Sequence, residues 1–454
     1  MKNELMYTKR NFFKAASDKT EAAYAYARDY MNYLDNSKTE RDCVKYTILE
    51  AQKRGYVEYT LGDELTAGGK YYMNNRDKSL YLFNIGEGDV SRGIKILAAH
   101  IDSPRLDLKQ RPLYDEGGMA FLKTHYYGGI RKYQWTAIPL ALHGVVVKAD
   151  GDVVDIVIGE DASDPILYVN DLLPHLAKDQ SERPLATAIT GEQLNLLVGS
   201  RPSDAEGEGV KENVMRLINE KYGIVEDDFV SAELCAVPAG AARDVGLDRS
   251  MIAGYGHDDK VCAYPSVTAL FETDNKKDTM IVILADKEET GSDGNTGMQS
   301  RLLCDLIDEI SAQLGANPRL VRSRSFCISS DVTAGYDPNF SEVYEKSNSA
   351  MMGCGVALSK YTGSRGKSGT SDASAEIVGK IRKIFDENDV VWQSAELGKI
   401  DIGGGGTVAK YIANLNIDTI DIGVPVISMH APIEVISKAD LYSTHLAFLA
   451  FLND

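Results

Sequence analysis

The chain of 454 residues carries 49 basic and 67 acidic side chains, a formal net charge of -18, which argues against nucleic acid as a partner. Hydrophobic residues at 44% and charged residues at 26% are ordinary for a folded chain and exclude disorder, collagen-like repeats and coiled coil as readings of the whole sequence. No stretch approaches the roughly 18 consecutive apolar residues of a membrane span; the greasiest run, His445 to Leu452, is far too short. The segment Met1 to Ala15 has no apolar signal core, and the six cysteines are scattered without a C-x-x-C pair. That pattern fits reduced core thiols, so the expected location is cytoplasmic, with no membrane partner.

At roughly 150 residues per domain, this length predicts two or three domains, or one large domain carrying an insertion. Residues 10–55 read as helices, with Phe12, Phe13, Ala16, Ala23, Tyr24, Ala27 and Tyr30 recurring at helical spacing and a second amphipathic run from Lys38 to Arg54. The period then changes: Lys95 to His100 is a short continuous apolar run, as expected of a buried strand in an α/β sheet. From about 105 to 250 the texture is one of short alternating strands with few helices, including a hairpin over Gly144 to Ile158 turning at Asp150-Gly151. After Met251 the α/β alternation resumes. Strands are predicted at Thr279–Ala285, Ser325–Ser330 and Thr419–Ser428, and helices near Ser300–Leu314, Ala373–Asp386 and Ser437–Leu452, the last opened by the capping-box pattern Ser437-x-x-Asp440. The simplest architecture is a discontinuous α/β domain, 1–104 and 251–454, interrupted by a β-rich domain over 105–250.

Strand-like runs repeatedly stop at residue types that bind metals or move protons, and the ends of strands are where open α/β sheets place ligands. His100 and Asp102 stand two apart at such an end, so in an extended chain both side chains leave from one face, and the carboxylate can orient the imidazole for a metal. Alone, the pair reads sooner as a surface contact or a satisfied core histidine than as a metal site. Gly256-His-Asp-Asp-Lys260 precedes a helix; one of its aspartates can bridge two cations, or simply cap the helix. Asp286-Lys-Glu-Glu-Thr-Gly-Ser292 follows an apolar strand, and its adjacent glutamates point apart, one toward a metal and the other toward a water, unless the segment is only a charged turn. Ser329-Ser-Asp331 and Val424-Pro-Val-Ile-Ser-Met-His430 close two further strands. Together these places supply two histidines and three carboxylates as ligands, with a spare glutamate. Those nitrogen and oxygen donors suit paired Zn2+, with Co2+ or Mn2+ as alternatives.

The order H-x-D, D-D, E-E-x-G-S, S-x-D, S-M-H resembles the aspartyl aminopeptidase and aminopeptidase I family of dizinc exopeptidases over nearly the whole chain. The resemblance implies a phosphorylase/hydrolase-like zinc exopeptidase domain with an inserted β-rich dimerisation domain, and two divalent metal ions per subunit. It implies His100, Glu289, Asp331 and His430 as terminal ligands, Asp258 as the bridging carboxylate, Glu288 as the general base and Asp102 as the carboxylate behind His100. It further implies peptide substrates with a free N-terminus and a homo-oligomer, a tetrahedral dodecamer. His175, in Leu173-Pro-His-Leu176, matches a histidine that reaches a neighbouring subunit's site, and Gly405 lies in a glycine-rich loop, Gly403 to Gly406, beside the substrate. Lys360 is the loose counterpart of the family's basic residue for an acidic substrate side chain.

Two histidines of the usual pattern are absent, since the chain reads Asp331-Val-Thr-Ala-Gly-Tyr-Asp-Pro338 where members carry an alanine-histidine pair and a histidine-proline. The expected activity is therefore metal-dependent removal of N-terminal residues, acidic ones or, alternatively, neutral or varied ones. A dizinc carboxypeptidase or deacylase is the competing enzyme reading; it would need an arginine clamp, for which Arg243 and Arg249 are available. A decayed scaffold protein is the non-enzymatic alternative.

Overall fold

Strands buried on both faces dominate the first of two compact units, which comprises Met1–Asp102, Ala242–Met429 and Glu434–Asp454. The computed structural model describes residues 5–205 and 209–454. Nine strands of this unit lie side by side in the order Val57–Glu58, Lys70–Asn75, Ser79–Asn84, Met280–Ala285, Lys95–His100, Phe326–Ser329, Asp418–Gly423, Val356–Ser359 and Trp392–Ser394. The four from Met280–Ala285 to Asp418–Gly423 run parallel.

Alternate residues of these strands enter two different cores. Leu97, Ala99, Val282, Leu284, Ile328 and Ile420 pack with the helices Thr20–Asp35, His257–Glu272 and Lys438–Asn453. Ile96, Ala98, Ile281, Ile283 and Cys327 pack on the other side with the helix Leu302–Gln313. Covering both faces is what turns the expected in-out alternation into continuous apolar sequence. Because the strands are parallel and in register, with Ala285 beside His100 and Ser329 beside Ala98, their C-terminal ends share one edge. A second sheet of this unit, of five strands, has the order Arg243–Val245, Met251–Gly254, Glu434–Ser437, Pro425–Ile427 and Thr333–Ala334.

Two expectations are corrected here. The run Thr419–Ser428 is two strands, Asp418–Gly423 in the nine-stranded sheet and Pro425–Ile427 in the five-stranded one. Pro425 brings no N–H to a ladder, which favours the change of partner at that point. At the last helix Ser437 does cap, accepting from Ala439 N at 3.3 Å. Asp440, however, turns away from the capping box. Its carboxylate accepts from Gly353 N at 2.8 Å and Gly355 N at 2.7 Å, and burial pushes its pKa up to about 7 against those two bonds.

The second unit is Ser103–Ala241 with His430–Ile433. Its seven strands run Ala232–Pro238, Arg105–Glu116, Met119–Tyr127, Leu196–Gly199, Leu167–Val169, Pro139–Val147, Val153–Ile158, and the first also pairs with Pro139–Val147, closing a barrel. The expected hairpin is present: Val147 pairs with Val153, and Gly151 adopts φ 91° in the turn. A helix at Val210–Tyr222 was not expected; it buries only Val210, Asn213 and Val214, too thin an apolar stripe to read from sequence. Among the described residues no helix is long and apolar enough to cross a membrane, and the six cysteines form no disulfide.

Leu284, fully buried at the centre of the nine-stranded sheet, is expected to cost about 2–5 kcal/mol when changed to alanine. Leu217→Ala, at a side chain 51% exposed, should stay within about 0.5 kcal/mol. Urea denaturation of the two variants beside the parent checks the contrast.

Candidate metal centre

The shared strand edge of the first unit carries the cluster. His100 is the last residue of its strand and Asp102 stands two beyond; Glu288 and Glu289 occupy a single 3-10 turn after Met280–Ala285; Asp331 follows Phe326–Ser329. Asp258 lies at the opening of the helix His257–Glu272, where Asp258 and Asp259 depart from helical dihedrals before the regular turns begin. The peptide between these two aspartates is cis.

Asp102 organises the group. Its Oδ1 accepts from Glu288 N at 3.1 Å and its Oδ2 from Glu289 N at 3.2 Å, so one carboxylate fixes the backbone of both glutamates. The same Oδ1 lies 3.3 Å from His100 Nδ1, which also donates to the carbonyl of Asp102 at 3.0 Å. An acceptor-only partner places the proton on Nδ1 and turns Nε2 toward the cluster. That nitrogen is 3.1 Å from Asp258 Oδ1, 3.8 Å from Glu288 Oε2 and 4.0 Å from Asp331 Oδ1.

His100, Asp258 and Asp331 offer ligand atoms that all lie within 4.8 Å of one another, and Asp258 stands equally close to Glu289. Asp258 is thus common to two donor groups. Glu288 is the more accessible carboxylate, its side chain 18% exposed against 5% for Asp258.

The electrostatics are those of crowded anions. Burial raises the Asp331 carboxyl well above the ordinary range, and repulsion from Asp259 and Glu288 adds to it. Burial opposes charging His100, yet its bonds to Asp102 and Asp258 outweigh that and hold its pKa well above the usual value. A buried set of carboxylates around one imidazole is unfavourable until positive charge enters it, and nitrogen and oxygen donors at this spacing fit a divalent cation. The donor set therefore suits the expected metal.

The sequence signals not read beforehand are second contacts. Glu434, 1% exposed, accepts from Asp258 N at 2.9 Å. Asp259, fully buried, accepts from His100 N at 3.3 Å. Asp259 stands inside the run Gly256–Lys260 and Glu434 lies four residues past His430, but nothing local says where their side chains turn. His430 groups with the second unit, where its Nδ1 donates to Gly129 O at 2.9 Å, an acceptor that places the ring proton on Nδ1. His175, in a short 3-10 turn of that unit, is exposed. Lys360 is exposed just past Val356–Ser359, and Gly405 donates its N–H to Thr362 O at 3.1 Å. Arg243 and Arg249 are exposed, and Arg249 lies 3.7 Å from Asp244.

The sequence profile of the aminopeptidase I zinc metalloprotease family, M18, matches residues 33–452. The chain belongs to that family. A probable M18 family aminopeptidase 1 from Clostridium acetobutylicum is 49% identical, with both chains covered in full. The crystal structure of the M18 aminopeptidase from Thermotoga maritima superposes with TM-score 0.94 at 42% identity, covering 99% of this chain and 100% of that one. The S. cerevisiae mApe1 dodecamer shares the fold at TM-score 0.77 and 19% identity, covering 94% and 96% of the two chains. Membership makes this M18 chain a zinc-dependent aminopeptidase, an exopeptidase hydrolase, as the sequence resemblance implied.

Asp102→Asn replaces one of two acceptor oxygens by a donor facing an amide. Zinc affinity is expected to fall by about 10- to 100-fold, read by competition against a chelating dye.

Proposed function

We propose that the enzyme removes N-terminal residues from peptides with two divalent cations, Zn2+ with Co2+ or Mn2+ as alternatives, and Glu288 as the proton carrier. The observation that carries this reading is the double grip of Asp102 on the amides of Glu288 and Glu289 while it faces His100. One carboxylate thereby fixes a ligand histidine, a ligand glutamate and a base together.

His100 and Asp331 would hold one cation, Glu289 and His430 the other, with Asp258 shared; His430 enters on its place in the Ser-Met-His run. When bound, such a pair supplies Lewis acidity, lowering the pKa of a water and polarising the scissile carbonyl. Glu288 takes the proton of the attacking water and returns it to the leaving amine. Its partial exposure gives it contact with both cluster and solvent. Lys360 and Gly405 are the proposed substrate contacts, with His175 reaching a neighbouring subunit. Lys360 favours acidic first residues; the missing histidines after Asp331 favour a neutral or broad preference.

The closed barrel of the second unit is the proposed dimerisation domain of a tetrahedral dodecamer acting in the cytoplasm. The dodecamer reported for mApe1 supports the oligomer by fold likeness. Light scattering of the purified protein should give a mass near twelve subunits, each of 49.7 kDa; a monomeric mass would remove the assembly and leave the chemistry.

Glu288→Gln should keep its zinc and lose turnover by about 10²- to 10⁴-fold. Rates on Asp, Glu, Leu, Met and Lys anilides, with and without chelator, read both the loss and the preferred residue; normal turnover in the variant would refute the base.

A further inference from the structure

The turn that carries Glu288 and Glu289 does not hold its shape by local preference. Lys287 and Ser292 sit at φ 66° and 63°, in the left-handed region that side-chain-bearing residues seldom adopt. Conformations of that kind persist where the surroundings over-determine them. Asp102 grips the turn through the two glutamate amides.

The return of the loop is closed elsewhere. Thr296, 5% exposed, donates its hydroxyl to Asp286 Oδ2 at 2.6 Å, and Asp286 N donates to Thr296 O at 3.3 Å. The two residues are thus tied by side chain and backbone at the base of the loop, immediately past the strand Met280–Ala285. Asn75 Nδ2, from the neighbouring part of the sheet, donates to Asn295 O at 2.9 Å, one residue from Thr296. At the far side Gln299 Nε2 and Tyr411 OH both donate to Gly291 O, at 2.9 and 3.0 Å. Asp286 is itself buried and faces Glu40 and Asp102, which repel it, and Lys78, which does not. A carboxylate in that setting has strong need of a donor, and Thr296 supplies one.

We propose that Thr296 is a positioning residue for the reaction: its hydroxyl closes the 286–299 loop onto Asp286 and so sets where Glu288 and Glu289 stand. The inference rests on Glu288 being the base. A valine at 296 keeps the shape and removes the hydroxyl; a serine keeps the hydroxyl and removes the methyl.

The test uses the full-length chain, zinc-loaded and zinc-free. In Thr296→Val, kcat is expected to fall by about 10- to 100-fold with KM nearly unchanged, because the base is displaced while the substrate contacts are not. Hydrogen exchange of the 286–299 segment should speed up in the zinc-free protein as well, a readout independent of turnover. Thr296→Ser should restore both.

Parental kcat and exchange in Thr296→Val would overturn the proposal, and so would a serine variant as impaired as the valine one, which would assign the effect to methyl packing. Where Thr296→Val does not fold, Asn75→Ala removes the adjacent tie at Asn295 and is held to the same outcomes. Failure of the base is separable: an active Glu288→Gln removes that reading, whereas an inactive Glu288→Gln beside a fully active Thr296→Val removes this one.

Discussion

Repulsion among buried carboxylates is the constraint around which the first unit is arranged. Asp102, Asp258, Asp259, Asp286 and Asp331 gather at one sheet edge, each nearly or wholly removed from water. Left to themselves they would stay protonated or drive the edge apart. The fold answers with oriented donors: backbone amides of Glu288 and Glu289 on Asp102, the amide of His100 on Asp259, and the hydroxyl of Thr296 on Asp286. What those donors leave uncompensated is the charge that a cation site requires.

The sheet makes that concentration possible. Four parallel strands with apolar residues on both faces form a rigid floor, and parallel register brings their ends level. Helices shield both faces of the floor from water, so the polar groups at its rim are held on a rigid support. Loops then add reach: Asp331 and the two glutamates each lie within a few residues of a strand end and inherit its rigidity.

The cluster was legible in sequence because each of its parts is local. A strand that stops on His-x-Asp, Glu-Glu or Ser-x-Asp announces its chemistry within five residues, and the order of such stops carried the family resemblance. What stayed hidden depends on partners far along the chain. Ser437-x-x-Asp440 reads as a capping box, but Asp440 is taken by amides of Gly353 and Gly355. Thr419–Ser428 reads as one strand, but its halves serve different sheets. Glu434 shows no sign in its neighbourhood that it will hold Asp258. Periodicity reports burial; it does not report which distant group a buried carboxylate will meet.

The barrel offers a last consequence. The first and last of its long strands, Arg105–Glu116 and Ala232–Pro238, are direct neighbours, with Leu106 beside Ala236. The chain therefore enters and leaves this unit at adjacent points, the geometry at which an inserted module behaves, for its host, as one short loop. Because the sheet also closes on itself through Pro139–Val147, the module adds few unpaired edges of its own. A module entered and left at neighbouring points can change the length of its outer turns without asking any change of register from the strands that precede and follow it in the chain.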